Sequence, residues 1–96
     1  MSREERINTF DVAARMLKAV AHPVRVEIIN VLSQTKRLSV NELKEKLGIT
    51  QSMTSQHLAQ LRDTGILGAA KEANVCYYYI LNKNVLKLLS CIKNCC

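Results

Sequence analysis

The sequence predicts a mainly α-helical domain with one small β-hairpin, its elements in the order α-α-α-α-β-β-α. Three observations carry this. Up to Gly65, apolar residues recur at three- and four-residue steps, the period of one buried helix face. His22-Pro23, Gly48 and Gly65 fall where those periodic segments stop. Beyond Gly65 the pattern changes to two short β-branched, apolar and aromatic runs around Glu72-Ala73-Asn74, a short hairpin turn.

Taken in order, the first helix runs from Arg3 to Val20, with Ile7, Phe10, Ala14, Leu17 and Val20 in one apolar stripe. Pro23 suits the first position of the second helix, whose buried face is Val24, Ile28, Ile29 and Leu32. Ser33 to Ser39 reads as a polar connection. Ser39 and Glu42 have capping-box spacing for a third helix from Val40 to Leu47, which Gly48 ends. Thr50 is the N-cap of a fourth helix reaching about Thr64. Ile66–Lys71 and Val75–Leu81 are the strands, with Tyr77 and Tyr79 expected in the core and Tyr78 outside. Asn82 restarts a helix with Val85, Leu88, Leu89 and Ile92 on one face.

Ninety-six residues, 48% of them apolar, fit a single domain spanning 1–96. No apolar run is long enough for a bilayer, and the charged start leads into a helical pattern without a signal-peptide core. The cytoplasm is the expected compartment. A net charge of +6 favours an anionic partner, nucleic acid or a membrane surface. Of four cysteines, Cys91, Cys95 and Cys96 cluster at the end; they read as free, reactive thiols rather than a disulfide framework. Cys76 lies in the wing strand and reads as a packing or incidental residue. No nucleophile elbow, acid–base pair or phosphate loop is present, which argues against an enzyme.

Val40 to Leu61 reads as a helix-turn-helix. Two short helices meet at a glycine, and Leu43, Leu47, Ile49, Leu58 and Leu61 tie them together, with Thr54 facing inward. The opposite side of the fourth helix collects Gln51, Ser52, Ser55, Gln56 and Ala59, all small or amide residues without a carboxylate. Solvated helix faces are usually richer in Lys and Glu. Glutamine pairs in a bidentate way with adenine, and serine reaches phosphates or base edges. The hairpin that follows is then a wing, with Lys71 and Asn74 at its tip placed for backbone phosphate. The candidate DNA-binding residues are Thr50, Gln51, Ser52, Ser55, Gln56, Lys71 and Asn74, in a winged helix-turn-helix. A winged-helix protein-interaction module and a thiol or metal carrier are the competing readings; the first does not use the polar face and the second does not use the helix-turn-helix.

Ala21-His22-Pro23-Val24-Arg25, Leu38 to Leu43, the run Gln51 to Leu67 with its Ser-x-His-Leu-x-x-Leu core (Ser55 to Leu61), and Tyr78-Tyr79-Ile80-Leu81 together resemble the ArsR/SmtB family of repressors, in the right order over nearly the whole chain. The resemblance implies a homodimer built by the first and last helices, double-stranded operator DNA as partner with no membrane role, and repression relieved by an effector. It places Gln51, Ser52, Ser55 and Gln56 on the DNA-reading surface. His57 matches a family histidine, here read as a hydrogen-bonded residue between helices rather than a ligand; His22 is read as a helix-junction residue. Two metal-site types known in such proteins find no ligands: Val40 to Lys44 holds no thiol, and Lys83 to Lys93 holds no Asp, Glu or His. A persulfide site pairing cysteines of the second and last helices is at best half complete, since Pro23 to Thr35 has no cysteine. Cys91, Cys95 and Cys96 remain as effector-sensing candidates for a thiophilic metal or metalloid, or for reactive sulfur or an oxidant. The alternatives are an unremarkable chain end and a constitutive repressor without a thiol sensor.

Overall fold

The computed structural model describes residues 3–95, with the backbone alone for residues 3–9, 92 and 95. The side chains of Ile7, Ile92 and Cys95, and all of Cys96, therefore lie outside the described residues. Five helices and three strands follow one another as α1 (Arg3–Val20), α2 (Pro23–Leu32), β1 (Leu38–Ser39), α3 (Val40–Leu47), α4 (Gln51–Asp63), β2 (Leu67–Glu72), β3 (Val75–Ile80) and α5 (Asn84–Cys95). The strands form one antiparallel sheet in the order β1-β3-β2.

The helix boundaries follow local chemistry. His22 accepts from the Val24 amide at 3.1 Å and so caps α2, with Pro23 in the first turn where its missing N–H costs nothing. The far end of α2 comes earlier than Thr35: Ser33 is the C-cap, its amide returning to the Ile29 carbonyl at 2.8 Å and its hydroxyl donating to the Asn30 carbonyl at 2.6 Å. Asn82 Oδ1 accepts from the Asn84 amide at 3.0 Å, so Asn82 caps α5 from outside.

Two features of the sheet differ from expectation. The connection before α3 is not wholly irregular, because Leu38 and Ser39 pair with Tyr78 and Tyr77; a two-residue strand has no alternation to read. The tyrosines are also inverted. Ile80 is buried at 6% exposure, and side chains alternate along a strand, so Tyr78 shares its face and packs on the core. Tyr77 and Tyr79 face the other way. There Tyr79 lies over Gly68, its pairing partner, where a Cβ would come within 2.5 Å of the ring. The hairpin closes through two residues, Ala73 (φ 48) and Asn74 (φ 69), since Glu72 pairs directly with Val75. Two left-handed residues give the turn whose twist matches the strands.

The core gathers Ile28, Ile29 and Leu32 from α2, Leu43 from α3, Leu58 and Leu61 from α4, Ile66 and Leu67 before and in β2, Ile80, and Val85 from α5. Burying a side chain of this kind is worth about 1.5–3 kcal/mol before entropy is charged against it. Among the described side chains of α1, Ala19 and Val20 of its last turn are the buried ones. Phe10 and Leu17, seven residues apart on one side, are 67% and 53% exposed, so the outer part of the α1 stripe has no cover within the chain.

Candidate nucleic-acid interface

The start of α4 is held in place by backbone bonds that its sequence dictates. Ser39 and Glu42 complete a capping box at the start of α3, at 3.1 and 3.2 Å. Gly48 ends α3 at φ 67, a conformation that a side chain would strain, and its amide returns to the Lys44 carbonyl at 2.9 Å. Two residues later Thr50 caps α4, its hydroxyl oxygen accepting from the Met53 amide at 3.1 Å. Thr54, fully buried, donates to the Thr50 carbonyl at 2.8 Å, so its hydroxyl is satisfied inside the core. With Thr54, His57, Leu58 and Leu61 inward, α4 presents Gln51, Ser52, Ser55, Gln56 and Ala59 to solvent, all exposed. No acidic residue stands in its first turn.

The wing comes up beside this row. Lys71 and Asn74 are exposed at its end, and Thr50 is exposed at the start of α4. Gln51 and Asn74 line one cleft, together with Asn41 of α3 and Cys76 of β3. Residues of α3, α4, β2 and β3 thus converge on one amide-rich edge, with Lys71 as its cation. Asn41, exposed one position into α3, was not singled out by sequence; its only signal was its place two residues after the Ser39 cap.

Behind α4 lies a polar node around His57, in which Arg25 is the member that sequence did not single out. Arg25 of α2 donates from Nε to His57 Nδ1 at 3.1 Å, from Nη1 to the Ala19 carbonyl at 3.0 Å, and from Nη2 to Gln60 Oε1. The His22 ring stands 4.6 Å from the His57 ring, centroid to centroid. Burial, then His22 and Arg25, hold His57 below the ordinary histidine range. His57 is therefore a hydrogen-bonded residue between helices.

Of the sensing candidates, Cys91 is exposed on α5. Among the described residues, no group of three or more His, Cys, Asp or Glu is arranged to hold a metal ion. No helix there is long and apolar enough to cross a membrane.

A capped helix-turn-helix with an exposed amide and hydroxyl row, flanked by a hairpin with a lysine at its tip, defines a winged helix-turn-helix DNA-binding protein. Residues 22–68 match the model of the bacterial regulatory proteins of the arsR family. The transcriptional regulator YgaV of Escherichia coli K12 is 39% identical over 82 residues, covering 85% of this chain and 83% of that protein. The transcriptional repressor PagR of Bacillus anthracis is 36% identical over 83 residues; its crystal structure superposes with a TM-score of 0.83, covering 90% of this chain and 98% of that one. A homodimeric winged helix-turn-helix DNA-binding domain from Mycobacterium bovis, 25% identical, superposes with a TM-score of 0.84 over 96% of this chain and 84% of its own. The chain belongs to the ArsR family and is a DNA-binding transcriptional regulator, not an enzyme.

Proposed function

We propose that this protein is a homodimeric repressor of the cytoplasm that reads its operator with the outer row of α4. The observation that carries the reading is that row itself: five exposed small or amide side chains with no carboxylate, on a helix whose inner side is locked by Thr54, Leu58 and Leu61. Gln51, Ser52, Ser55 and Gln56 reach base edges in the major groove. Thr50, Lys71 and Asn74 fix the register through phosphates, Thr50 with the hydroxyl proton that capping leaves free.

The dimer is built from α1 and α5. Phe10 and Leu17 lie open on α1, and an apolar crease lined by Val20, Val26, Ile29, Val85, Leu88 and Leu89 opens where α1, α2 and α5 meet. A second copy supplies the missing cover; the similar M. bovis domain is homodimeric. The two reading helices then address half-sites about one helical turn of DNA apart, or a multiple of it.

The deciding experiment selects duplexes from a random-sequence library with the wild-type protein and sequences the survivors. An inverted repeat with that spacing is expected, and Gln56→Ala is expected to lose the preference at one position of each half-site. Recovery of no common sequence would remove the reading. Sedimentation showing monomer alone at micromolar concentration would remove the dimer.

A further inference from the structure

We propose that Arg25 is the positioning residue of the DNA-reading helix, and that its bond to His57 makes operator affinity fall when the protein is acidified. The proposal rests on the reading of the outer row of α4 as the DNA face.

Arg25 does three things from one half-buried side chain. It bonds α4 at the buried His57 and, one turn on, at the exposed Gln60, and holds the last turn of α1 through the Ala19 carbonyl. Gln56 and Ala59 are the neighbours of His57 and Gln60 on the DNA side. A shift of α4 relative to Arg25 therefore moves the reading side chains. Because α1 is the helix with an uncovered apolar side, the same guanidinium also joins the dimer helix to the reading helix.

The chemistry of the three acceptors sets the proton response. The guanidinium stays charged and offers only donors. The Ala19 carbonyl and Gln60 Oε1 accept at every pH. His57 Nδ1 accepts only while the ring is neutral. Protonation there sets an N–H against an N–H and a cation beside a cation. The groups that face His57 give no relief: His22 from the α1–α2 junction and Arg25 from α2 are both basic. Around the open cleft beside Arg25 stand Arg15 and Lys18 of α1, against Asp63 on α4 as the one carboxylate among the described residues that line it. His57 is accordingly held below its ordinary value, first by burial and then by His22 and Arg25. The sign follows: the folded state prefers the neutral ring, so the contribution is complete above the unfolded value of 6.5 and is lost as pH falls through the lower folded value. General electrostatics run the other way, since each added positive charge tightens binding to a polyanion. Weakening on acidification is therefore diagnostic.

The test uses the full-length dimer and a duplex selected by the wild type at about pH 7.5. Affinity by fluorescence anisotropy and α4 amide protection factors are both measured at about pH 7.5 and about pH 5, the lower point set well below an unperturbed histidine because His57 is held down. For the wild type, affinity is expected to fall about tenfold on acidification, the scale of a lost hydrogen bond to a charged group, with loss of α4 protection. His57→Asn places an untitratable acceptor near Nδ1; its α4 protection is expected to be the same at both pH values, and its affinity not to fall at the lower one. His22→Asn keeps a capping side chain for α2 and is expected to respond as the wild type does. A His57→Asn protein that weakens as much as the wild type, or wild-type α4 protection that ignores pH, overturns the proposal. If protection responds as described while no duplex is selected at either pH, the latch stands and the assignment of the DNA face falls.

Discussion

Arg37 and Glu72 are joined across the wing, Nη2 to Oε2 at 2.6 Å, although the residues lie on different strands' approaches and both are exposed. The same guanidinium lies 4.1 Å from the centre of the Tyr77 ring. Strand pairing explains the meeting: Glu72 opposes Val75 and Ala70 opposes Tyr77, so Glu72 and Tyr77 share the outer face of the hairpin while Lys71, one residue away, points to the other. Arg37 precedes β1 and thus braces the wing from its root. Glu72 is the one carboxylate of the hairpin, and Arg37 holds it below the usual carboxylate range, chiefly through the hydrogen bond.

Arg37→Ala is expected to weaken DNA binding, because it loosens the wing and leaves a bare carboxylate beside the phosphates. Arg37→Ala with Glu72→Ala is expected to recover part of the loss. Titration at low salt reads both, since screening hides exposed charges at high salt. The Glu72 carboxyl has a lowered pKa, so the brace is intact above the ordinary value of 4.5 and fails only as pH falls below it; no change is expected around neutrality. A double variant as weak as Arg37→Ala would mean that Arg37 touches the DNA itself.

Base and phosphate contacts separate by how they fail. Gln56→Ala and Ser55→Ala are expected to cost about 1–3 kcal/mol of discrimination between operator and random duplex. Lys71→Ala is expected to weaken both duplexes alike and to reduce the salt slope by about 1. Anisotropy titrations on the two duplexes over a range of salt concentrations give all of these numbers. Unchanged operator affinity in Gln56→Ala would misplace the reading face.

The wing tip carries a local conflict. Ala73 sits at φ 48, where its Cβ crowds the backbone at a cost of about 1–2 kcal/mol. Asparagine tolerates that conformation and is favoured at the first central position of this turn. Ala73→Asn is expected to stabilise the fold by about 0.5–1 kcal/mol, measured by urea denaturation. A loss of stability would mean that the turn differs from the two-residue form.

The helices were legible because their signals are local. Ser39 with Glu42, Thr50, Gly48 and Gly65 each act within one turn of chain, and all fall at helix ends. The outer row of α4 was legible for the same reason, since a 3.6-residue period assigns faces without knowledge of neighbours. What sequence missed depends on partners far along the chain. The face of Tyr78 is set by burial of Ile80 against helices and by pairing with Ala69 and Leu38. In a run of three tyrosines, alternation alone cannot say which is inward. Tyr79 is placed by Gly68, whose missing side chain makes room for the ring. Arg25 reads as one more charged residue until His57, 32 positions on, and Ala19 are brought to it.

The thiols of the last helix give the final prediction. Cys91 is exposed on α5, the helix that packs on α2 and forms part of the proposed dimer face, and Cys95 and Cys96 follow it in the sequence. A soft ion or an oxidising sulfur species acting there is expected to shift one subunit against the other, and only one separation of the two reading helices fits a given operator. The release can be no larger than the ligand's difference in affinity between the free and the DNA-bound protein. Operator titrations of the wild type and of the combined Cys91→Ser, Cys95→Ser, Cys96→Ser variant, each with and without arsenite, copper(I), persulfide or peroxide, measure that difference. The wild type is expected to release DNA with at least one of these agents and the variant with none. Cys76 stays in both proteins, half-buried on β3 beside the wing cleft, and serves as the internal control. A variant that responds as the wild type does would move the sensor to Cys76 or away from thiols altogether. A wild type that responds to none of them would make the protein a constitutive repressor.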